Sequence, residues 1–113
     1  MRELDDNNPE DRSIKLKISS FCQAPQRVRM SRTATTDLGL ASLTKEGMLT
    51  GLREHILGRG RVFTDRMDNG DTAYIAAECL AEEKVLYIKV RFFELDEDEA
   101  MLVFSAHPPR RWC

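Results

Sequence analysis

Residues 72–106 read TAYIAAECL, AEEK, VLYIKVRFFEL, DEDE and AMLVFSA in succession, and they decide the fold class. Three apolar runs rich in aromatic and β-branched residues (72–80, 85–95 and 100–106) are separated by two short connectors, Ala81-Glu82-Glu83-Lys84 and Asp96-Glu97-Asp98-Glu99. Connectors this short join neighbouring antiparallel strands, because a parallel return needs a crossover of about a dozen residues or more. The three runs therefore predict a C-terminal antiparallel meander that stops at His107-Pro108-Pro109. In the middle run, Leu86, Ile88, Val90 and Phe92 fall on one face, and Tyr87, Lys89, Arg91 and Phe93 fall on the other.

Working back from the meander, Asp68-Asn69-Gly70-Asp71 is a turn, since Asn-Gly readily takes positive φ. Residues 59–71 hold two turn signals, of which this is the plainer. Thr44 is a good N-cap for a helix whose Met48, Leu49, Leu52, Ile56 and Leu57 recur at three and four residues and form one apolar face. Gly58 and Gly60 end that helix. Gly47 and Gly51 inside it each cost about 1 kcal/mol relative to alanine and point to a close neighbour. Ser31 caps a second helix over 31–40, with Gly39 at its end. Residues 13–21 (SIKLKISSF) alternate apolar and polar and predict a half-buried strand, with a short helix the competing reading for so brief a run. Residues 23–29, with Pro25, predict a loop, and residues 1–12 a flexible acidic tail. The expected fold is α+β: an N-terminal strand and two helices packed on a C-terminal three-stranded antiparallel meander, in a single domain over 13–113.

At 113 residues, 42% hydrophobic and 32% charged, the chain has the composition of a globular domain. No window approaches the ~18 apolar residues of a membrane span, and Met1 to Asp11 has no signal-peptide character, so a cytoplasmic protein with no membrane partner is expected. Cys22, Cys79 and Cys113 are too widely spaced for a zinc site. Cys22 and Cys79 lie in apolar stretches and are expected buried. With only His55 and His107 besides, no metal site and no cofactor are expected. His55, near a helix C-terminus, is read as complementing the helix dipole.

The net charge of −2 hides a division. Residues 12–66 carry eleven bases against four acids, and residues 67–100 carry three bases against ten acids. Such asymmetry can build a local positive face on an acidic protein. There is no P-loop, GxGxxG, HExxH or GxSxG motif. The chemistry-bearing pattern is the polar side of the middle strand, Tyr87, Lys89 and Arg91, with His107 ending the next strand and Arg110, Arg111 and Trp112 after it. Lysine and arginine neutralise phosphates, and aromatic rings stack on unpaired bases. A histidine or tyrosine can move a proton while RNA supplies its own 2′-hydroxyl nucleophile. The alternative for such a face is the plain solvent side of a meander.

Several stretches resemble MqsR-type mRNA interferase toxins. Val28-Arg29-Met30-Ser31-Arg32-Thr33-Ala34 followed by Leu38-Gly39-Leu40 looks like their early helical part, and Leu43-Thr44-Lys45-Glu46 like the start of their next helix. Leu86-Tyr87-Ile88-Lys89-Val90 is similar to their tyrosine-containing strand, and Leu102-Val103-Phe104-Ser105 to their last strand. The match runs over about residues 14–107. It implies a RelE-like fold, a metal-independent endoribonuclease acting on mRNA, and a cognate antitoxin partner. Tyr87 matches the family's active-site tyrosine. The lysine that follows the family's last strand is absent, and His107 stands nearby as a substitute acid. The family's helix lysine has no clear counterpart; Arg53 lies within a turn of its place. Thr64, Asp65 and Arg66 occupy the region of the family's glutamine. The expected catalytic set is therefore Tyr87, His107 and Arg53, with Lys89, Arg91, Arg59, Arg61, Arg66, Arg110, Arg111 and Trp112 binding RNA.

Two other functions fit the same residues. One is a non-catalytic protein-binding module of a phage or mobile element, docking through the acidic tail and the acidic hairpin 94–99. The other is a small nucleic-acid binder that uses the basic stretch 27–66.

Overall fold

The structure, a computed structural model, describes residues 1–109. In chain order the elements are β1 (Arg2–Glu3), α1 (Pro9–Cys22), a 3-10 turn (Pro25–Arg27), β2 (Val28–Met30), α2 (Arg32–Leu40), α3 (Lys45–Leu57), β3 (Val62–Arg66), β4 (Thr72–Ala81), β5 (Lys84–Leu95) and β6 (Asp98–His107). The fold is α+β. The six strands form one mixed sheet in the order β1-β3-β4-β5-β6-β2, antiparallel throughout except for the parallel pair β2 and β6.

The meander stands as expected, as β4, β5 and β6. Its two hairpins turn on Glu82-Glu83 and Asp96-Glu97, all four at positive φ, the primed-turn geometry that matches the twist of paired strands. The two central helices also stand. The Ser31 hydroxyl accepts from the Ala34 N–H at the start of α2, and the Thr44 hydroxyl accepts from the Gly47 N–H at the start of α3. Gly51 lies against β4, where an added Cβ would meet the Leu80 carbonyl oxygen at 2.7 Å.

The N-terminal third differs from expectation. Residues 13–21, expected as a strand, belong to α1. The Asn8 side-chain oxygen accepts from the N–H groups of Glu10 and Asp11, Pro9 fills the first helical position, and the two acids sit at the positive end of the helix dipole. Ile14 and Ile18 fit a helix face as well as a strand face; Leu16, the residue that would separate the two, is exposed. Residues 1–12, expected as a flexible tail, hold β1, the fully buried Leu4 and the first turn of α1. The buried Asp11 carboxylate accepts from both Arg2 guanidinium nitrogens at 2.7 and 3.1 Å and from the Asp5 N–H at 2.9 Å. The Arg2 hydrogen bonds first, then that of Asp5, hold its carboxyl below the ordinary range. Val28–Met30, overlapping the end of the expected 23–29 loop, forms β2, and Val62–Arg66, within the stretch 59–71 that holds two turn signals, forms β3.

The three helices cover one face of the sheet. Ile18, Ala34, Leu38, Met48, Leu49, Leu52 and Ile56 from the helices bury against Val62, Ala76, Cys79, Leu86, Ile88, Val90, Met101 and Val103 from the strands. Cys22 and Cys79 are both in this core, and burial pushes each thiol up to about 12. Lys15 on α1 is fully buried too. Its ammonium lies 2.8 Å from the Asp6 carboxylate and donates to the Gly60 carbonyl at 2.7 Å, which ties the N-terminal segment to the loop after α3. Among the described residues no helix covers the opposite face of the sheet, and no helix is long and apolar enough to cross a membrane.

Candidate functional site

The uncovered sheet face is where the polar residues of β5 emerge. Register sets its rows. Phe63 on β3 faces Ile75 on β4, Ile75 faces Lys89 on β5, and Lys89 faces Ser105 on β6. One row along, Arg91 faces Leu102. One row the other way, Tyr87 faces His107, and their rings lie parallel within 5° at a centroid separation of 6.4 Å. Ile75, Tyr87, Lys89, Ser105 and His107 line an open depression of about 400 Å³.

Two irregularities shape the depression. Between Ala76 and Cys79, β4 carries two residues opposite the single Tyr87, with Glu78 at φ 56°. Between Val103 and Ser105, β6 carries Phe104 as an extra residue against the step Lys89–Val90. Bulges of this kind raise local twist and re-aim side chains, and they recur beside functional sites. The second one puts Phe104 and Ser105 on the same face in succession, which strict alternation forbids.

The cations on this face already have partners. Lys89 Nζ is 3.1 Å from the Asp65 carboxylate, and Arg91 is paired with Asp71 from the β3–β4 turn. Both cations also lie over the Phe104 ring, at 6.0 and 5.8 Å from its centroid. Arg91 Nε is buried without a hydrogen-bond partner among the described residues. His107 Nδ1 is 2.8 Å from the Pro108 carbonyl oxygen. A carbonyl can only accept, so Nδ1 carries a proton and Nε2 is left to exchange one with a ligand.

Of the residues singled out from the sequence, Tyr87, His107, Lys89 and Arg91 come together on this face. Arg53 does not. It sits on α3 in the helical layer, and with the Gln23 amide oxygen turned toward it, its Nε and Nη2 both donate at 3.2 Å. Nor do the other arginines form one approach surface. Arg59 borders a separate depression with Glu3, Asp5, Asp6 and Asn7. Arg61 pairs with Glu3 at 3.2 Å and packs over the Phe63 ring at the margin of the open face. Arg66 ends β3, on the alternate side from Phe63 and Asp65. Arg110, Arg111 and Trp112 lie outside the described residues. His55, read as a dipole complement, has its Nε2 2.9 Å from the Arg61 carbonyl oxygen. Ile75, Ser105, Phe104, Asp65 and Asp71 were not singled out, because their place here depends on bulges and cross-strand register, which leave no mark in the sequence. No cluster of three or more metal-ligating side chains forms among the described residues.

Compared with known proteins, the chain matches no family model, no curated protein and no solved structure.

Proposed function

We propose that this protein is a toxin-like, metal-independent endoribonuclease of the MqsR type, acting on mRNA at the open sheet face and held in check in the cytoplasm by a cognate antitoxin. The observation that carries the proposal is the stacked Tyr87–His107 pair in a depression shared with Lys89. In this mechanism the RNA 2′-hydroxyl attacks the adjacent phosphorus as it gives up its proton to solvent water, the bond to the 5′-oxygen breaks, and a cyclic phosphate forms. Tyr87 donates its hydroxyl proton in a hydrogen bond to a non-bridging oxygen. Lys89 and Arg91 exchange their carboxylate partners for substrate phosphates and offset the growing charge. Protonated His107, steadied through Nδ1, gives its Nε2 proton to the leaving 5′-oxygen.

The test is induced expression in a bacterial host of the wild type beside His107→Ala, with growth and mRNA integrity followed together. Growth arrest with mRNA decay is expected for the wild type. Loss of a general acid removes about 10²- to 10⁴-fold in rate, so His107→Ala should do neither. A soluble, folded His107→Ala that still arrests growth overturns the role of His107. A wild type that leaves growth and mRNA intact overturns the ribonuclease proposal.

One observation favours the protein-binding alternative: Asp65 and Asp71 neutralise the cations of the face. The acids expected to dock a partner are themselves partly committed, since Glu99 pairs with Lys17 on α1 and Asp98 with Arg27. Glu97 of the same hairpin is exposed, and reversing Glu97, Asp98 and Glu99 to lysine is the test: partner capture should be lost.

A further inference from the structure

We infer that Phe104 is the substrate-binding residue of the open face, a platform on which one unpaired base of the RNA stacks; this rests on the ribonuclease proposal. Three observations converge on it. The β6 bulge turns Phe104 out of the core, so that a large aromatic ring sits half-buried on the uncovered face directly before Ser105 of the depression. Lys89 and Arg91 approach the ring at 6.0 and 5.8 Å, the outer limit of a cation–π contact, so neither is locked to it. The two cations reach the face from β5 and each is held by one carboxylate, Asp65 or Asp71. A chain of nucleotides offers what this arrangement lacks: a π-face for the ring and phosphates for both cations. The buried, unpartnered Nε of Arg91 adds an unused donor beside the same ring.

The spacing places the platform correctly for the chemistry. His107 is three residues further along β6, roughly 10 Å at the rise of a strand, within reach of a dinucleotide. A base on Phe104 therefore fixes which phosphodiester reaches Tyr87 and His107, and Phe104 selects the site of cleavage without moving a proton. Stacking tolerates every base, so the platform sets register along the strand, and it favours unpaired RNA over duplex because only an unpaired base can leave its own stack.

The test uses the full-length chain, catalytically silenced as His107→Ala for binding and unmodified for cleavage. The probe is a short single-stranded RNA carrying one 2-aminopurine, whose fluorescence falls on stacking. Phe104→Leu should weaken binding roughly tenfold, the scale of one aromatic–base stack, and abolish the quenching. The slope of log affinity against log salt should stay unchanged, because phosphate contacts are kept. In cleavage, KM should rise more than kcat falls. Phe104→Trp should restore quenching and binding, and it guards against a leucine variant that folds poorly. Phe104→Leu and Phe104→Trp that both bind and quench like the wild type overturn the platform while leaving the ribonuclease proposal standing. An unmodified chain that neither binds nor cleaves the RNA overturns both. A Phe104→Leu variant that loses affinity together with salt slope assigns the residue to holding Lys89 and Arg91, and overturns stacking.

Discussion

Gly51→Ala probes the contact that fixes α3 on the sheet, and the structure predicts its sign. A methyl group at Gly51 would lie 2.7 Å from Ala81 Cβ, 2.7 Å from the Leu80 carbonyl oxygen and 2.8 Å from Ala81 Cα. All three atoms belong to β4, where Leu80 and Ala81 are paired with Val85 and Lys84 of β5, so the contact is with backbone inside the sheet. Comfortable carbon–carbon contact is about 3.5–4.0 Å, so α3 must retreat by about 1 Å or the sheet must deform. Overpacking costs about 1–3 kcal/mol, and a backbone neighbour puts this case near the top of that range. Alanine recovers about 1 kcal/mol of helix propensity, for a net loss of about 2 kcal/mol. Gly39 in α2 is the control, because an added Cβ there meets nothing within 4 Å. Gly39→Ala should gain up to about 1 kcal/mol from propensity alone. Urea unfolding followed by circular dichroism reads both, with Gly51→Ala shifting the midpoint down and Gly39→Ala shifting it up. A Gly51→Ala midpoint at or above the wild type's would refute the packing argument, since helix propensity alone would then account for both substitutions.

Two further predictions concern the N-terminal segment. Lys15→Ala strips Asp6 of its buried partner, leaves the Gly60 carbonyl unpaired and opens a hole. Arg12 still holds Asp6 at 2.8 Å, so the loss should sit at the low end of a broken buried pair, about 3 kcal/mol, and a urea midpoint within about 0.5 kcal/mol of wild type would contradict it. Asp11 titrates below its ordinary value of 3.8 in the folded state, so its stabilising contribution is fully present above that value and is lost as pH falls through the lower folded one. Asp11→Asn should therefore flatten the fall in urea midpoint on acidification below about pH 4, and an unchanged acid slope would show that the Arg2 contact contributes nothing.

What could be read from the sequence followed the range over which each signal acts. The hairpins of the meander and the caps of α2 and α3 are local, written within a few residues of where they act, as at Ser31, Thr44 and the two acidic connectors. Local signals were also present for α1, in Asn8, Pro9, Glu10 and Asp11, but the alternation of Ile14, Leu16 and Ile18 masked them, because a spacing of four satisfies both periods. The short strands β1, β2 and β3 had no pattern of their own and exist because a formed edge accepts them. At the site, alternation along β5 brought out Tyr87, Lys89 and Arg91, and chain order brought His107 beside them. The partners that decide the charge of that face, Asp65 and Asp71, come from another strand and a turn, and Arg53 was misplaced because sequence proximity to a functional position says nothing about which layer a helix face joins.

The strand order carries a consequence for how the molecule is made. β2, at Val28–Met30, finds its one sheet neighbour among the described residues in β6, which is synthesised after every other described element. α2 follows β2 directly and is pinned by the Ser31 hydroxyl to the Phe104 carbonyl of that same late strand. The open-face depression, which needs Ser105 and His107, is likewise finished only at that moment. During synthesis the chain is therefore an incomplete sheet with an unoccupied margin, and whatever activity the depression holds is withheld until β6 has been made and has paired.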